Sequence, residues 1–102
     1  MDILARIKRC ALLGNIRFTV KAAEERTADC LTELEVYESL VNASRIDKKL
    51  RSTSPFRDSG REYLYVIKAP TAAGILIYTK GKIVIDGEVE TYYLLVSAKI
   101  SD

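Results

Sequence analysis

Residues 63–100 read YLYVIKAPTAAGILIYTKGKIVIDGEVETYYLLVSAKI, and this stretch decides the fold class. Val, Ile and Tyr dominate three runs, Tyr63 to Ala69, Ile75 to Thr79 continuing to Ile85, and Tyr92 to Ile100. β-Branched and aromatic side chains of this kind fit a pleated, half-buried surface. Pro70 to Gly74 and Asp86-Gly87 separate the runs, connections short enough to favour antiparallel neighbours. Alternation assigns Tyr92, Leu94, Val96, Ala98 and Ile100 to the core and Tyr93, Leu95, Ser97 and Lys99 to the opposite face. In the preceding strand Leu76, Tyr78, Lys80 and Lys82 share one side, provided Gly81 keeps the register, and Ile75, Ile77 and Thr79 share the other.

Upstream the period changes. Ile3, Leu4, Ile7, Ala11 and Leu12 recur at helical spacing, and Gly14-Asn15 supplies a C-cap. Ile16-Arg17-Phe18 alternates like a short strand, and Thr19 is an N-cap for a second helix, Val20 to Asp29. Thr32 with Glu35 fits a capping box and opens a third helix, in which Leu34, Tyr37, Leu40 and Val41 share a face. Arg45 to Arg51, whose apolar residues are Ile46 and Leu50, predicts an edge strand or extended arm, and Ser52 to Gly60 reads as a loop. The order predicts one α+β domain over residues 1–102, an antiparallel sheet of about four strands covered on one face by two to three helices.

The chain has 102 residues, 48% of them hydrophobic and 29% charged, the balance of one compact domain and not of a disordered tail or collagen. No window is apolar enough to cross a membrane and the amino-terminal stretch is amphipathic, so a cytoplasmic protein is expected. Cys10 and Cys30 offer neither a disulfide framework nor a zinc cage, and the absence of histidine removes Ser-His and His-metal chemistry. No metal site and no cofactor are expected, so any catalysis falls to Lys, Arg, Tyr or a carboxylate. A net charge of +2 does not announce a nucleic-acid binder, but Arg45, Lys48, Lys49 and Arg51 follow the acidic Glu33, Glu35 and Glu38.

Tyr78, Lys80, Lys82 and Lys99 are candidates to stand together on an open sheet face. By pattern alone such lysines are solvated gatekeepers of strands. A sheet presenting Lys, Tyr and Arg also suits single-stranded RNA, whose phosphates seek cations and whose splayed bases stack on rings. Lys21 opposes the macrodipole near the start of its helix, whereas Arg26 reads first as a partner for neighbouring carboxylates.

The helix end Leu13-Gly14-Asn15-Ile16-Arg17-Phe18-Thr19, the segment Leu31-Thr32-Glu33-Leu34-Glu35-Val36-Tyr37, the Gly74 to Lys80 strand and the closing Leu94-Leu95-Val96-Ser97-Ala98-Lys99 together resemble the RelE-related ribonuclease toxins of bacterial toxin–antitoxin pairs, closest to the motility quorum-sensing regulator type. The resemblance implies a RelE-like fold and a metal-independent endoribonuclease that cuts messenger RNA, ribosome-bound or free, by attack of the 2′-hydroxyl. It implies Tyr78, Lys80 and Lys99 as catalytic residues; Lys21 joins them as a source of charge because it stands where a related group of domains has histidine, with Arg26 one residue off that group's arginine, and Arg26, Arg17, Lys82, Arg57 and Arg61 are the candidate RNA-binding residues. It also implies a cognate antitoxin with a zinc-binding half and a helix-turn-helix half. The chain departs from the family where Glu38 replaces a helix lysine and where glutamine and histidine are missing. Two other functions stay open: a non-catalytic RNA- or partner-binding module on the same fold, and a protein held by an antitoxin through Tyr63, Tyr65 or the first helix.

Overall fold

The computed structural model describes residues 2–51, 62–86 and 90–102. Three helices, α1 (Ile3–Leu12), α2 (Val20–Ala28) and α3 (Glu33–Asn42), accompany five strands, β1 (Ile16–Phe18), β2 (Lys48–Arg51), β3 (Tyr63–Pro70), β4 (Leu76–Asp86) and β5 (Glu90–Ile100). The fold is α+β. The strands form one sheet in the order β1-β5-β4-β3-β2. Neighbours are antiparallel except β1, which runs parallel to β5 with Ile16 opposite Tyr93 and Phe18 opposite Leu95. The sheet is therefore mixed and five-stranded, not antiparallel with about four strands. A three-residue strand carries too little pattern to announce a partner that lies far along the chain.

Local signals place the helices. The Asp2 carboxylate accepts from Ala5 N–H and Thr19 Oγ1 accepts from Ala22 N–H, one N-cap each. Thr32 and Glu35 form the capping box that opens α3. Helix α1 ends in a Schellman motif: Asn15 N–H donates to Cys10 O, Gly14 N–H donates to Ala11 O, and Gly14 has φ 73°. Leu34 was expected among the inward residues of α3, yet it is 65% exposed while Val36, Ser39 and Leu40 are buried. Buried Ser39 donates to Ala69 O at 2.7 Å, so a hydroxyl bolts α3 to β3 where an apolar pattern foresees solvent.

Helices α1 and α3 pack on each other and on one face of the sheet, burying Ile7, Val36 and Leu40 against Ile67, Ile77, Tyr93 and Leu95. Helix α2 lies against β5 and β1 at the sheet's edge. No helix among the described residues is long and apolar enough to cross a membrane.

One irregularity sets which side chains face outward. Lys80 pairs with Ser97 but Gly81 pairs with Leu95, so Val96 is the extra residue of a β-bulge in β5. The bulge reverses the alternation. After it, Ala98 faces the core and Ser97 and Lys99 face away, as the alternation predicts; before it, Tyr93 and Leu95 are fully buried and Tyr92 and Leu94 turn outward, the reverse of the expectation. Strand β4 keeps its period through Gly81, because β3 pairs with it without a break from Tyr65–Gly81 to Pro70–Leu76.

Candidate nucleic-acid interface

The face opposite α1 and α3 is built from alternate residues of all five strands. Lys68, Tyr78 and Lys99 are direct neighbours across β3, β4 and β5 and form a row two lysines wide with a phenol between them. Directly opposed side chains in a sheet lie about 5 Å apart at Cβ, so the three groups share one patch. Lys99 Nζ is 5.5 Å from the centroid of the Tyr78 ring, a cation–π distance. Lys68, Tyr78, Lys99, Ile100, Ser101 and Asp102 line a shallow depression of about 290 Å³. Lys68 and Lys99 are exposed and Tyr78 is half-buried, so both lysines reach solvent beside the ring.

The next rows extend the patch. Lys80 lies between Val66 and Ser97, and Lys82 lies opposite Leu94. Lys82 is tied to Glu62 by a 2.9 Å ion pair with both side chains three-quarters covered or more. On β2, Lys48 is opposite Val66 and so shares its face. At the far edge the Arg17 guanidinium lies 4.5 Å from the centroid of the Tyr92 ring. Half-buried Leu64, Val84 and Leu94 lie between these cations, and Val66 on the same face is buried.

Two carboxylates that approach this face are committed to structure. Glu25 Oε1 accepts from Ser97 Oγ at 2.7 Å and from Ala98 N–H at 3.2 Å, and Glu62 holds Lys82. Asp102, which lines the depression, is a further carboxylate beside the two lysines, and α3 carries Glu33, Glu35 and Glu38 on the helical side, where α1 adds Arg6, Lys8 and Arg9. Glu38, which stands where the resembled family has a lysine, accepts from Ala72 N–H and ties α3 to the β3–β4 turn.

The structure thus brings Tyr78, Lys80, Lys82, Lys99 and Arg17 onto one face, and it puts the Arg26 charge to another use. Lys21 is exposed on α2, one turn before Glu25. Arg26 is half-buried: Nη1 donates to Leu31 O at 2.8 Å, the guanidinium lies 5.2 Å from the Phe18 ring centroid, and Nε has no partner. Its charge holds the α2–α3 connection instead of facing outward. Arg57 and Arg61 lie outside the described residues. Tyr65, expected at an apolar edge, is 8% exposed and belongs to the core. Lys68, Lys48 and Tyr92 were missed. Lys68 was within reach, since it is the one charge in the otherwise apolar run Tyr63 to Ala69; Tyr92 was not, because the bulge alone turns it outward.

Compared with protein-family models, with curated proteins and with solved structures, the chain matches none.

Proposed function

We propose that the open sheet face binds single-stranded RNA and that the Lys68–Tyr78–Lys99 row cleaves it without a metal ion, as an endoribonuclease of the RelE-related toxin kind. The observation that carries this reading is the row: two lysines flank one tyrosine on the sheet face that α1 and α3 leave free among the described residues. In this reading one phosphodiester lies across the row. The ribose 2′-oxygen attacks phosphorus, the bond to the 5′-oxygen breaks, and a cyclic phosphate and a free 5′-hydroxyl result. Lys68 and Lys99 stabilise the charge that grows on the phosphorane oxygens, and Lys80 holds the neighbouring phosphate. Tyr78 aligns the reacting phosphate and donates toward the leaving oxygen, and Asp102, the carboxylate lining the depression, takes the 2′-hydroxyl proton. A cognate antitoxin would cover this cationic face with acidic surface.

A second reading, RNA binding without cleavage, is favoured by the commitment of Glu25 and Glu62 to structural bonds, which takes two carboxylates out of acid–base service. One experiment separates the two. Purified protein is incubated with single-stranded RNA in excess chelator, and the ends of any products are analysed. The first reading expects cyclic-phosphate ends from the wild type and intact RNA from a folded Tyr78→Phe, Lys99→Ala double variant. Intact RNA with the wild type, still bound in a filter assay, leaves the binding module.

A further inference from the structure

At the other end of the same face stands a second pair of matched groups. Arg17 comes from β1 and Tyr92 from β5, and the guanidinium lies over the ring at 4.5 Å. Arg17 is exposed, and among the described residues it makes no ion pair, so its charge is not consumed by the fold. Tyr92 is opposite Val84, whereas Lys99 is opposite Tyr78. Six residues of β4 therefore separate the two rings, about 20 Å at the rise of a strand. Between them Lys80 and Lys82 project from the same face of the same strand.

We propose that Arg17 and Tyr92 form a second base-stacking subsite, and that the ligand is a single strand long enough to reach from it to the Tyr78 row. The inference rests on the RNA reading above and names its substrate class more closely. Each end offers a π-surface paired with a cation, the combination on which unstacked bases and their phosphates are held whatever the sequence. Aromatic rings set into a sheet face cannot stack on the bases of a duplex, which are already stacked and paired. The separation exceeds what a dinucleotide spans and matches the footprint of about four nucleotides seen at the short end of single-strand sites. Lys80, which lies between the two rings, then meets an intervening phosphate, while Lys82 stays bound to Glu62.

The test uses the full chain and fluorescein-labelled oligouridylates whose 2′-O-methyl groups block cleavage, with affinity read by anisotropy for a dinucleotide and for a hexanucleotide. The hexanucleotide is expected to bind the wild type at least about tenfold more tightly than the dinucleotide. Arg17→Ala and Tyr92→Ala are each expected to remove most of that advantage, lowering hexanucleotide affinity far more than dinucleotide affinity, and Tyr92→Phe is expected to keep it. Lys99→Ala is expected to weaken both ligands. Hexanucleotide binding unaltered in both Arg17→Ala and Tyr92→Ala overturns the second subsite and leaves RNA binding standing. Because Arg17 is a surface residue, its variant settles the matter even if Tyr92→Ala unfolds. Failure of the wild type to bind either oligonucleotide overturns the RNA reading and this inference with it.

Discussion

Cys30 has φ 56°, a left-handed conformation that costs an L-residue about 1 kcal/mol or more. It sits there because α2 ends in a Schellman motif: Leu31 N–H donates to Arg26 O and Cys30 N–H to Thr27 O. Glycine fills the matching position, Gly14, after α1. Cys30→Gly is expected to raise stability by up to about 1 kcal/mol in urea denaturation. Gly81 answers a different need. A Cβ there would stand 2.8 Å from the Tyr93 ring carbons and from Leu94 O, because the buried phenol lies flat against the glycine backbone. Gly81→Ala is expected to cost about 1–3 kcal/mol, since neither a buried ring nor a sheet carbonyl can retreat.

Helix α2 solves a problem that β1 leaves behind. β1 pairs with β5 only as far as Leu95, so the rest of β5 would present bare backbone donors at an edge. Carboxylates one helical turn apart fill the gap: Glu25 accepts from Ala98 N–H, and Asp29 accepts from Ile100 N–H at 2.8 Å. The helix thereby serves as a side-chain substitute for a sixth strand and holds Lys99, between those two amides, in position. Glu25→Ala is expected to destabilise the fold by about 1–3 kcal/mol and to speed amide hydrogen exchange at Ala98 well beyond that at Ile77 in the sheet centre.

The buried layer between the sheet and its helices determines how the protein responds to pH. Burial pushes the Tyr93 hydroxyl far above the usual tyrosine range, helped by repulsion from Tyr65 and Cys10. Tyr65, Tyr37 and the Cys10 thiol are also raised, each chiefly by burial. All four hold their protons more tightly folded than unfolded. Their contribution is complete below the unfolded values, about 8.5 for cysteine and 10 for tyrosine, and is lost as pH climbs through the folded ones. With no histidine in the chain, the thermal midpoint is expected to change little around neutrality and to fall steeply above about pH 10. A midpoint that is unchanged at pH 11 would contradict the burial of Tyr93.

Composition and period were enough to establish the α+β class, the sequence order of helices and strands, the caps at Thr19, Thr32 and Gly14, and the common face of Tyr78, Lys80 and Lys82. These depend on contacts within a few residues, where the chain's own stereochemistry decides. The parallel pairing of β1, the burial of Ser39 and the inward turn of Tyr93 were not legible, because each is settled by a partner tens of residues away. The bulge at Val96 shows why most clearly: one unpaired residue inverts every side chain on one side of it, and whether a residue is left unpaired depends on how two distant strands register. The same event keeps Lys99 beside Tyr78 while delivering Tyr92 to Arg17, so the extent of the cationic face is a property of the folded sheet.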